Sequence, residues 1–429
     1  MLAKYLFERN QTVKVHTNLD LALHVRPTVT ATTTLLKTLM LTTDIQVGTP
    51  PSSTVEDVIR AICHAKAIVV ICGNIMFCLL LNIRSHYQGA GISVEAGIPT
   101  FRGKNGIFKD TFGGRRPEEL FQLRSSQVRA RVRCSSIHIH ITQQDSNMIP
   151  AFCTFMAEMA KKAAGAQPTH FHELLGTLNT RRTLLRVYTQ NIDGLELKSG
   201  LSQCSAYGVH GGKAICVPLH GNIHQMRCLS CSSTFTTDAH IHILSNGQLP
   251  SCATCDASRT ARAQLNLRDR KNISLLKPDI ILYGEYHPLA EEIASIQKHD
   301  IGCIDLLLVV GTSMKVDGIQ QMIRTFSQTL QRKHGKKRAP FLSSIYVNME
   351  LCSPQKASDL FDCWVAGDCQ LFATITQAGV HQELIKRGEM PQNPWQTLDD
   401  DDKGAEMIRR QRLAVANRRL DLRPLSRYY

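Results

Sequence analysis

Glycine and proline are scarce in this 429-residue chain, at 27 and 16 residues, which excludes a collagen-like or wholly disordered protein. Long apolar runs are also missing. The one membrane-like stretch, Ala67 to Ile83, is split by Gly73 and Asn74 and falls short of the ~20 residues that span a bilayer, so no transmembrane helix is expected. Residues 1–20 carry Lys4, Arg9 and Lys14 without an apolar core before a small-residue cleavage site, so no secretory signal is expected either. Acidic residues are in deficit: 36 Asp and Glu face 50 Lys and Arg, a net charge of +14. That excess biases the chain toward nucleic acid, nucleoprotein or anionic membrane without choosing among them. What is present is enough apolar residue, 43%, to fold one large domain or two to three modest ones at ~150 residues each.

Residues 1–54 are Thr-rich, end in Thr49-Pro50-Pro51-Ser52-Ser53 and hold no sustained period, which predicts a flexible extension. From Val55 helical spacing alternates with short β-branched runs: Ile68 to Cys72, Leu184 to Tyr188, Asp279 to Tyr283, Asp305 to Val310, Ser344 to Val347 and Phe361 to Val365. Continuous apolar runs of this length suit strands covered on both faces, so the expectation is α/β, a doubly wound parallel sheet. Small and polar residues follow the runs, among them Gly89-Ala90-Gly91, Gln190-Asn191-Ile192-Asp193, Gly284-Glu285, Gly311-Thr312-Ser313, Asn348 and Gly367-Asp368. In open parallel sheets ligands bind at that carboxyl edge. Residues 374–429, with Asp399 to Asp402 and then a run of arginines, read as a solvated, partly helical charged extension.

Cys228-Leu-Ser-Cys231 and Cys252-Ala-Thr-Cys255, separated by twenty residues, have the spacing of a four-thiolate zinc module closed by an intervening hairpin. Four thiolates leave no open coordination position, so the zinc is structural. The other eleven of the fifteen cysteines are scattered and read as packing residues. Gly89-Ala90-Gly91-Ile92-Ser93 can bring backbone amides to a pyrophosphate near a helix start, or be an ordinary turn. Phe101-Arg102-Gly103 adds an aromatic ring and a guanidinium suited to a ribose or phosphate. His220, in Leu219-His220-Gly221, is a candidate catalytic imidazole or a packed histidine.

These motifs, with Thr189 to Glu196, Lys277 to Glu285 and Gly311-Thr312-Ser313, stand in the order found in the sirtuins. The resemblance covers about residues 55–373, and the wording is most similar to the fungal branch of nuclear histone-deacetylating sirtuins. It implies a Rossmann-like NAD-binding domain with a smaller zinc module, about residues 222–273, and a helical insertion. It also implies an NAD-dependent protein-lysine deacetylase with one structural zinc, an acetylated protein substrate such as a histone, and a nuclear location, with cytoplasm or mitochondrion as alternatives. By that resemblance His220, Asn191 and Asp193 are catalytic. Gly89, Ala90, Gly91, Phe101, Arg102, Gln190, Gly311, Thr312, Ser313, Asn348 and Cys369 bind NAD together with Asn191 and Asp193. Ile281, Leu282, Tyr283, Gly284 and Glu285 bind the substrate peptide as an added strand. The rival readings are a basic zinc-containing chromatin-binding protein without catalysis, favoured by the Arg332 to Arg338 cluster, and a protein ADP-ribosyltransferase.

The chain departs from the family where Asn74 to Gln88 interrupt the phosphate loop, and again near Val128 to Gln144. Both stretches are either genuine insertions or retained introns, since a Gly codon followed by Asn can carry a splice donor, Val can begin with GT and Gln can end in CAG. The first lengthens the tether between strand and loop, and its apolar core, Ile75 to Leu81, must pack or stay exposed. An alternative is that Ile75 to Ile83 replaces Ile68 to Cys72 as the strand. The full chain is expected to bind NAD more weakly, and to be less soluble, than a version lacking residues 74–88. Side-by-side NAD titration of the two purified proteins checks this, and equal affinity would show that the insert is tolerated.

Overall fold

In the computed structural model the residues described are 55–73, 91–98, 148–203, 215–267, 274–282, 285–314, 316–334, 342–349, 352, 354–388 and 420–423. All belong to one of the chain's two units, Ile45–Tyr429. Both inserts, the expected N-terminal extension, and Gly89, Ala90, Phe101, Arg102, Tyr283 and Gly284 lie outside them.

The helices are Val55–His64 (α1), Met148–Gly165 (α2), His170–Thr180 (α3), Leu195–Lys198 (α4), Ile241–Ser245 (α5), Ala253–Gln264 (α6), Ala290–Cys303 (α7), Asp317–His334 (α8), Pro354–Leu360 (α9) and Cys369–Lys386 (α10). Strands Ile68–Cys72 (β1), Leu184–Thr189 (β2) and Cys216–Pro218 (β3) come first. Gly221–Cys228 (β4), Thr234–Thr236 (β5) and Leu276–Ile280 (β6) follow, then Leu306–Val310 (β7), Ser344–Asn348 (β8), Cys363–Gly367 (β9) and Leu420–Arg423 (β10).

The large sheet runs β10-β9-β8-β7-β1-β2-β3. Its pairings are parallel except that β10 joins β9 antiparallel. Every residue of β1, β7 and β8 is buried, because each is apolar on both sides and helices cover both faces. On one face Val69, Ile71, Tyr188 and Val309 pack with Ile323, Phe326 and Leu330 of α8, and Ile293 and Ile296 of α7 lean on this cluster. Elsewhere α10 packs on α3 and α1, with Gly379 so close to Ile59 that a Cβ would meet its side chain at 2.5 Å. The strand order reverses between β1 and β7, which puts a crevice at their carboxyl ends.

The doubly wound expectation is met, with four differences in detail. The run Asp279 to Tyr283 is not a strand of the large sheet: β6 spans Leu276–Ile280 and pairs antiparallel with β4 in a separate three-stranded sheet, β5-β4-β6. Pro278 is the physical reason, since a residue without an N–H sits best on an edge strand, and β6 is an edge. The sixth parallel strand is instead β3, only three residues long. The polar texture after 374 does not end the fold, since α10 crosses residue 373 and stays largely buried as far as Leu384. Of the charged extension, the described residues are helical as far as Lys386 in α10, and Leu420–Arg423 form the edge strand β10. Ile68 to Cys72 is the strand of the sheet, so the alternative that Ile75 to Ile83 replaces it is excluded.

A buried ion pair ties helix to sheet beneath the crevice. Arg186 of β2 donates from Nε and Nη2 to the Asp300 carboxylate of α7 at 2.8 and 2.9 Å, and the Tyr188 hydroxyl donates to the same group at 2.8 Å. Removing one partner of a buried pair leaves an uncompensated charge. Asp300→Ala is therefore expected to destabilise the fold by about 3–5 kcal/mol, read as a lowered urea midpoint with an unchanged slope.

Candidate active site

Strand β2 ends where its backbone turns over the crevice. The Gln190 N–H donates to the Cys72 carbonyl at 2.9 Å, and its side-chain amide donates to the Thr312 hydroxyl at 2.9 Å. One residue thus bridges the ends of β1, β2 and β7. Gly73 lies against it, and a Cβ there would approach Gln190 to 3.0 Å.

The segment beyond is organised by local polar bonds. Asp193 Oδ1 accepts from the Leu195 N–H at 3.0 Å, and Gly194, at φ 70°, supplies the left-handed turn into α4. Asn191 Nδ2 donates to the Ser93 hydroxyl at 3.0 Å, and its N–H donates to the Thr189 hydroxyl at 3.1 Å. The Thr189 hydroxyl donates in turn to Glu196 Oε1 at 2.5 Å. His224 Nε2 donates to the Asp193 carbonyl at 2.8 Å. Ser93, Thr189, Gln190, Asn191, Asp193, Glu196, Thr312 and Asn348 are all buried. Burial first, and the Asp193 carboxyl second, push Glu196 up to about 8. Burial also raises Asp193, against the Leu195 N–H, which favours its charged form.

His220 follows β3. Its Nδ1–H donates to the Gln190 carbonyl at 3.1 Å, which places the lone pair on Nε2. Burial pulls this imidazole down to about 4, with the Gln190 carbonyl opposing and His287 adding to the shift. The ordinary value of ~6.5 expected for it is therefore displaced toward a more firmly neutral ring. Gly221, at φ +90°, must be glycine, because a Cβ would collide with the Asp279 carbonyl.

The phosphate loop is held from behind. Thr169 Oγ1 and Gln370 Nε2 both donate to the Ile92 carbonyl at 2.8 Å, and Gln370 Oε1 accepts from the Phe171 N–H at 2.9 Å. Residues Gly91 to Gly97 form successive turns rather than the start of a helix. On the far side of the crevice, Tyr346 donates to the Thr312 carbonyl at 3.0 Å and Asn348 Nδ2 donates to the Tyr346 hydroxyl at 2.8 Å. Gly311 adopts φ 68°, and Ser313 is half-buried beside it. Cys369, expected among the cofactor residues, opens α10 with its thiol buried and raised well above the ordinary range by that burial, so it stays protonated.

The 281–285 segment leaves β6 under His220, whose carbonyl accepts from the Ile281 N–H at 3.0 Å. The Glu285 carboxylate turns inward. It accepts from Lys277 Nζ at 2.6 and 2.7 Å and from the Leu282 N–H at 2.9 Å.

The four sulfurs of Cys228, Cys231, Cys252 and Cys255 lie within 4.8 Å of one another, with Cys228 to Cys255 at 3.7 Å and Cys231 to Cys252 at 3.6 Å. Zn–S bonds of ~2.3 Å separate tetrahedral sulfurs by about 3.8 Å, so the cluster fits one zinc ion. The N–H groups of Ser230 and Cys231 point at Cys228 Sγ at 3.3 and 3.4 Å, which favours a thiolate. Between the pairs lie β5 and α5, not the single hairpin expected.

A model of the Sir2 family matches residues 89–318. The chain belongs to the Sir2 family. It is 31% identical to the NAD-dependent histone deacetylase HST3 of Candida albicans over 70% of this chain and 60% of that protein. It is 33% identical to the NAD-dependent histone deacetylase HST4 of Saccharomyces cerevisiae over 66% of this chain and 72% of that protein. The chain thus spans about 60% of the length of the Candida relative. Among solved structures, a Sir2 homologue in complex with NAD superposes with a TM-score of 0.50 over 79% of this chain and 98% of that one, at 21% identity, a likeness of fold.

In this Sir2-family chain the expected residues Gln190, Asn191, Thr312 and His220 converge, and Gly91 lies beside Ser93 on the same rim. Ser93, Thr169, Thr189, Glu196 and Gln370 are further members that the sequence reading did not single out. Ser93 and Glu196 were visible as part of the motifs, whereas Thr169 and Gln370 carried no signal, because they act only through the fold. Cys228→Ser or Cys252→Ser is expected to lose the zinc and unfold β4 to β6, since a structural site contributes folding energy directly. Metal analysis paired with circular dichroism checks this, and a metal-free chain of unchanged fold would contradict it.

Proposed function

We propose that this chain is an NAD-dependent protein-lysine deacetylase acting on acetylated histones in the nucleus, in association with chromatin. The carrying observation is the pairing of His220 Nδ1–H with the Gln190 carbonyl, beside a buried polar set at the sheet's switch point. A buried cluster of Ser93, Gln190, Asn191, Asp193, Thr312 and Asn348 is unusual for a core but suits a polar dinucleotide. Gly91 with the turn after it, Gln190, Asn191 and Asp193 would hold the pyrophosphate and nicotinamide side, and Gly311, Thr312, Ser313 and Asn348 the adenosine side. Gly89, Ala90, Phe101 and Arg102 join the first group by family resemblance. The names of the curated fungal relatives support the histone substrate.

NAD, when bound, supplies the ribose carbon that takes the acetyl oxygen as nicotinamide leaves. His220 contributes a neutral imidazole whose Nε2 accepts the proton of a ribose hydroxyl. Its Nδ1 bond to Gln190 fixes the tautomer that makes this possible. Ile281 and Leu282, which continue from the edge strand β6, offer backbone for an acetyl-lysine peptide to join as a strand. Lys277 and Glu285 brace that segment.

Release of nicotinamide that depends on an acetylated histone peptide tests the reading. Release accompanied by labelled ADP-ribose on the peptide would favour protein ADP-ribosylation, and no release would favour a zinc-containing chromatin-binding protein. His220→Ala is expected to lower turnover ~100-fold or more with cofactor affinity nearly intact. Because burial depresses the imidazole to about 4, the neutral base persists as pH falls through 6.5. The acid limb of kcat/KM due to His220 should therefore lie near pH 4, and a limb near 6.5 that vanishes in the Ala variant's residual rate would contradict it.

A further inference from the structure

We propose that Glu196 is a positioning residue of this pocket: its buried carboxyl orients the Thr189 hydroxyl, and Thr189 so oriented fixes the backbone of Asn191. The inference rests on the deacetylase reading for its consequence in turnover, though not for its geometry. A threonine hydroxyl has one proton. Here that proton goes to Glu196 Oε1 at 2.5 Å, which leaves the oxygen only lone pairs with which to accept the Asn191 N–H at 3.1 Å. Asn191 then reaches Ser93 at 3.0 Å, so the order set at Glu196 passes to the phosphate loop. Without Glu196 the hydroxyl is left with the Cys72 sulfur as its neighbouring acceptor, and a proton turned toward that sulfur redirects the lone pairs that meet the Asn191 N–H.

The carboxyl is also an unusual choice of side chain at its position. It is 1% exposed, on a four-residue helix whose neighbouring Leu195 is packed in an apolar cluster. The described hydrogen bonds give it a hydroxyl donor and no cation. The charged and titratable groups about it are Asp193 on the preceding turn and Cys72 on β1, while His224 on β4 and Lys198 on α4 act on Asp193. A buried carboxyl beside a second carboxyl keeps its proton, and Glu196 stays neutral to about 8. The neutral acid still accepts from Thr189 through its carbonyl oxygen, so the chain of bonds does not require a charge.

Glu196→Gln preserves an acceptor oxygen without the titration, whereas Glu196→Ala removes the acceptor. Hydrogen exchange of the segment 189–196 in the full-length protein reads the positioning without cofactor: protection is expected to be kept in the Gln variant and lost in the Ala variant. Equal protection in wild type, Gln and Ala proteins would overturn the proposal. Thermal unfolding reads the proton. A carboxyl whose folded pKa is raised contributes its full stability below the unfolded value, and that stability is lost as pH rises toward the folded value. The melting temperature of E196Q should therefore gain on wild type between pH 5 and 8, with Asp193, Cys72, His224 and Lys198 common to both; a gap independent of pH would show that Glu196 is ionised throughout. In turnover, Glu196→Ala is expected to lower kcat roughly 10-fold or more, with KM for the acetyl peptide little changed and E196Q closer to wild type. If wild type itself released no nicotinamide, the deacetylase reading would fail, while exchange and melting would still decide the role of Glu196.

Discussion

Gln190 is the residue on which the geometry of the site turns. Its N–H, carbonyl and side-chain amide are each committed to a different element: Cys72 at the end of β1, His220 after β3, and Thr312 after β7. The strand order reverses at β1 and β7, opening a crevice beyond their carboxyl ends, and Gln190 ties both of those ends together. Because the same residue's carbonyl holds His220, the imidazole and the ends of β1 and β7 share one reference point. A shift of β1 against β7 would therefore be felt at the imidazole.

The two sheets are joined through the same neighbourhood. Strand β4 begins at Gly221, directly after His220, and pairs with β6, from which the 281–285 segment departs. Lys277 lies within β6, and its ammonium reaches the Ile280 carbonyl and the Glu285 carboxylate. The departure of the backbone at Ile281 and Leu282 is thereby tied to the strand that the cysteine cluster flanks, since Cys228 pairs with Leu276 at the other end of the same ladder. A metal with no open coordination position can thus matter to catalysis solely by holding β4 and β6 in register.

Much of this was legible in the sequence because the site consists of short contiguous motifs at strand ends, where residue type is dictated by backbone geometry and by polar chemistry together. Thr189 to Glu196 is such a motif: turn, cap and site residues are adjacent in the chain. The paired cysteines were legible for the same reason. What escaped were features that exist only through long-range contact. Gln370 and Ile92 are 278 positions apart, and no local pattern marks their bond. Strand β3 is three residues long, too short to show a period, and β10 is stabilised by pairing with β9 rather than by its own charged sequence. Pro278 did carry a signal, since proline disfavours a central strand, but the apolar run after it outweighed that signal. The depressed imidazole of His220 depends on burial, which spacing does not reveal.

The hold on the phosphate loop bears on how an insertion at its base can be accommodated. Two side chains from the starts of different helices, Thr169 before α3 and Gln370 in α10, converge on the one carbonyl of Ile92. Asn191 takes the next residue, Ser93. The loop is therefore located by groups that follow the insert in sequence, and β1 on the other side keeps its own register with β2 and β7. The described residues on either side, β1 and the turns from Gly91, are thus each fixed by contacts of their own. Lengthening a connection between two fixed ends adds closure entropy only logarithmically, so added length between these two flanks is by itself a small term beside the side-chain bonds that locate Ile92 and Ser93.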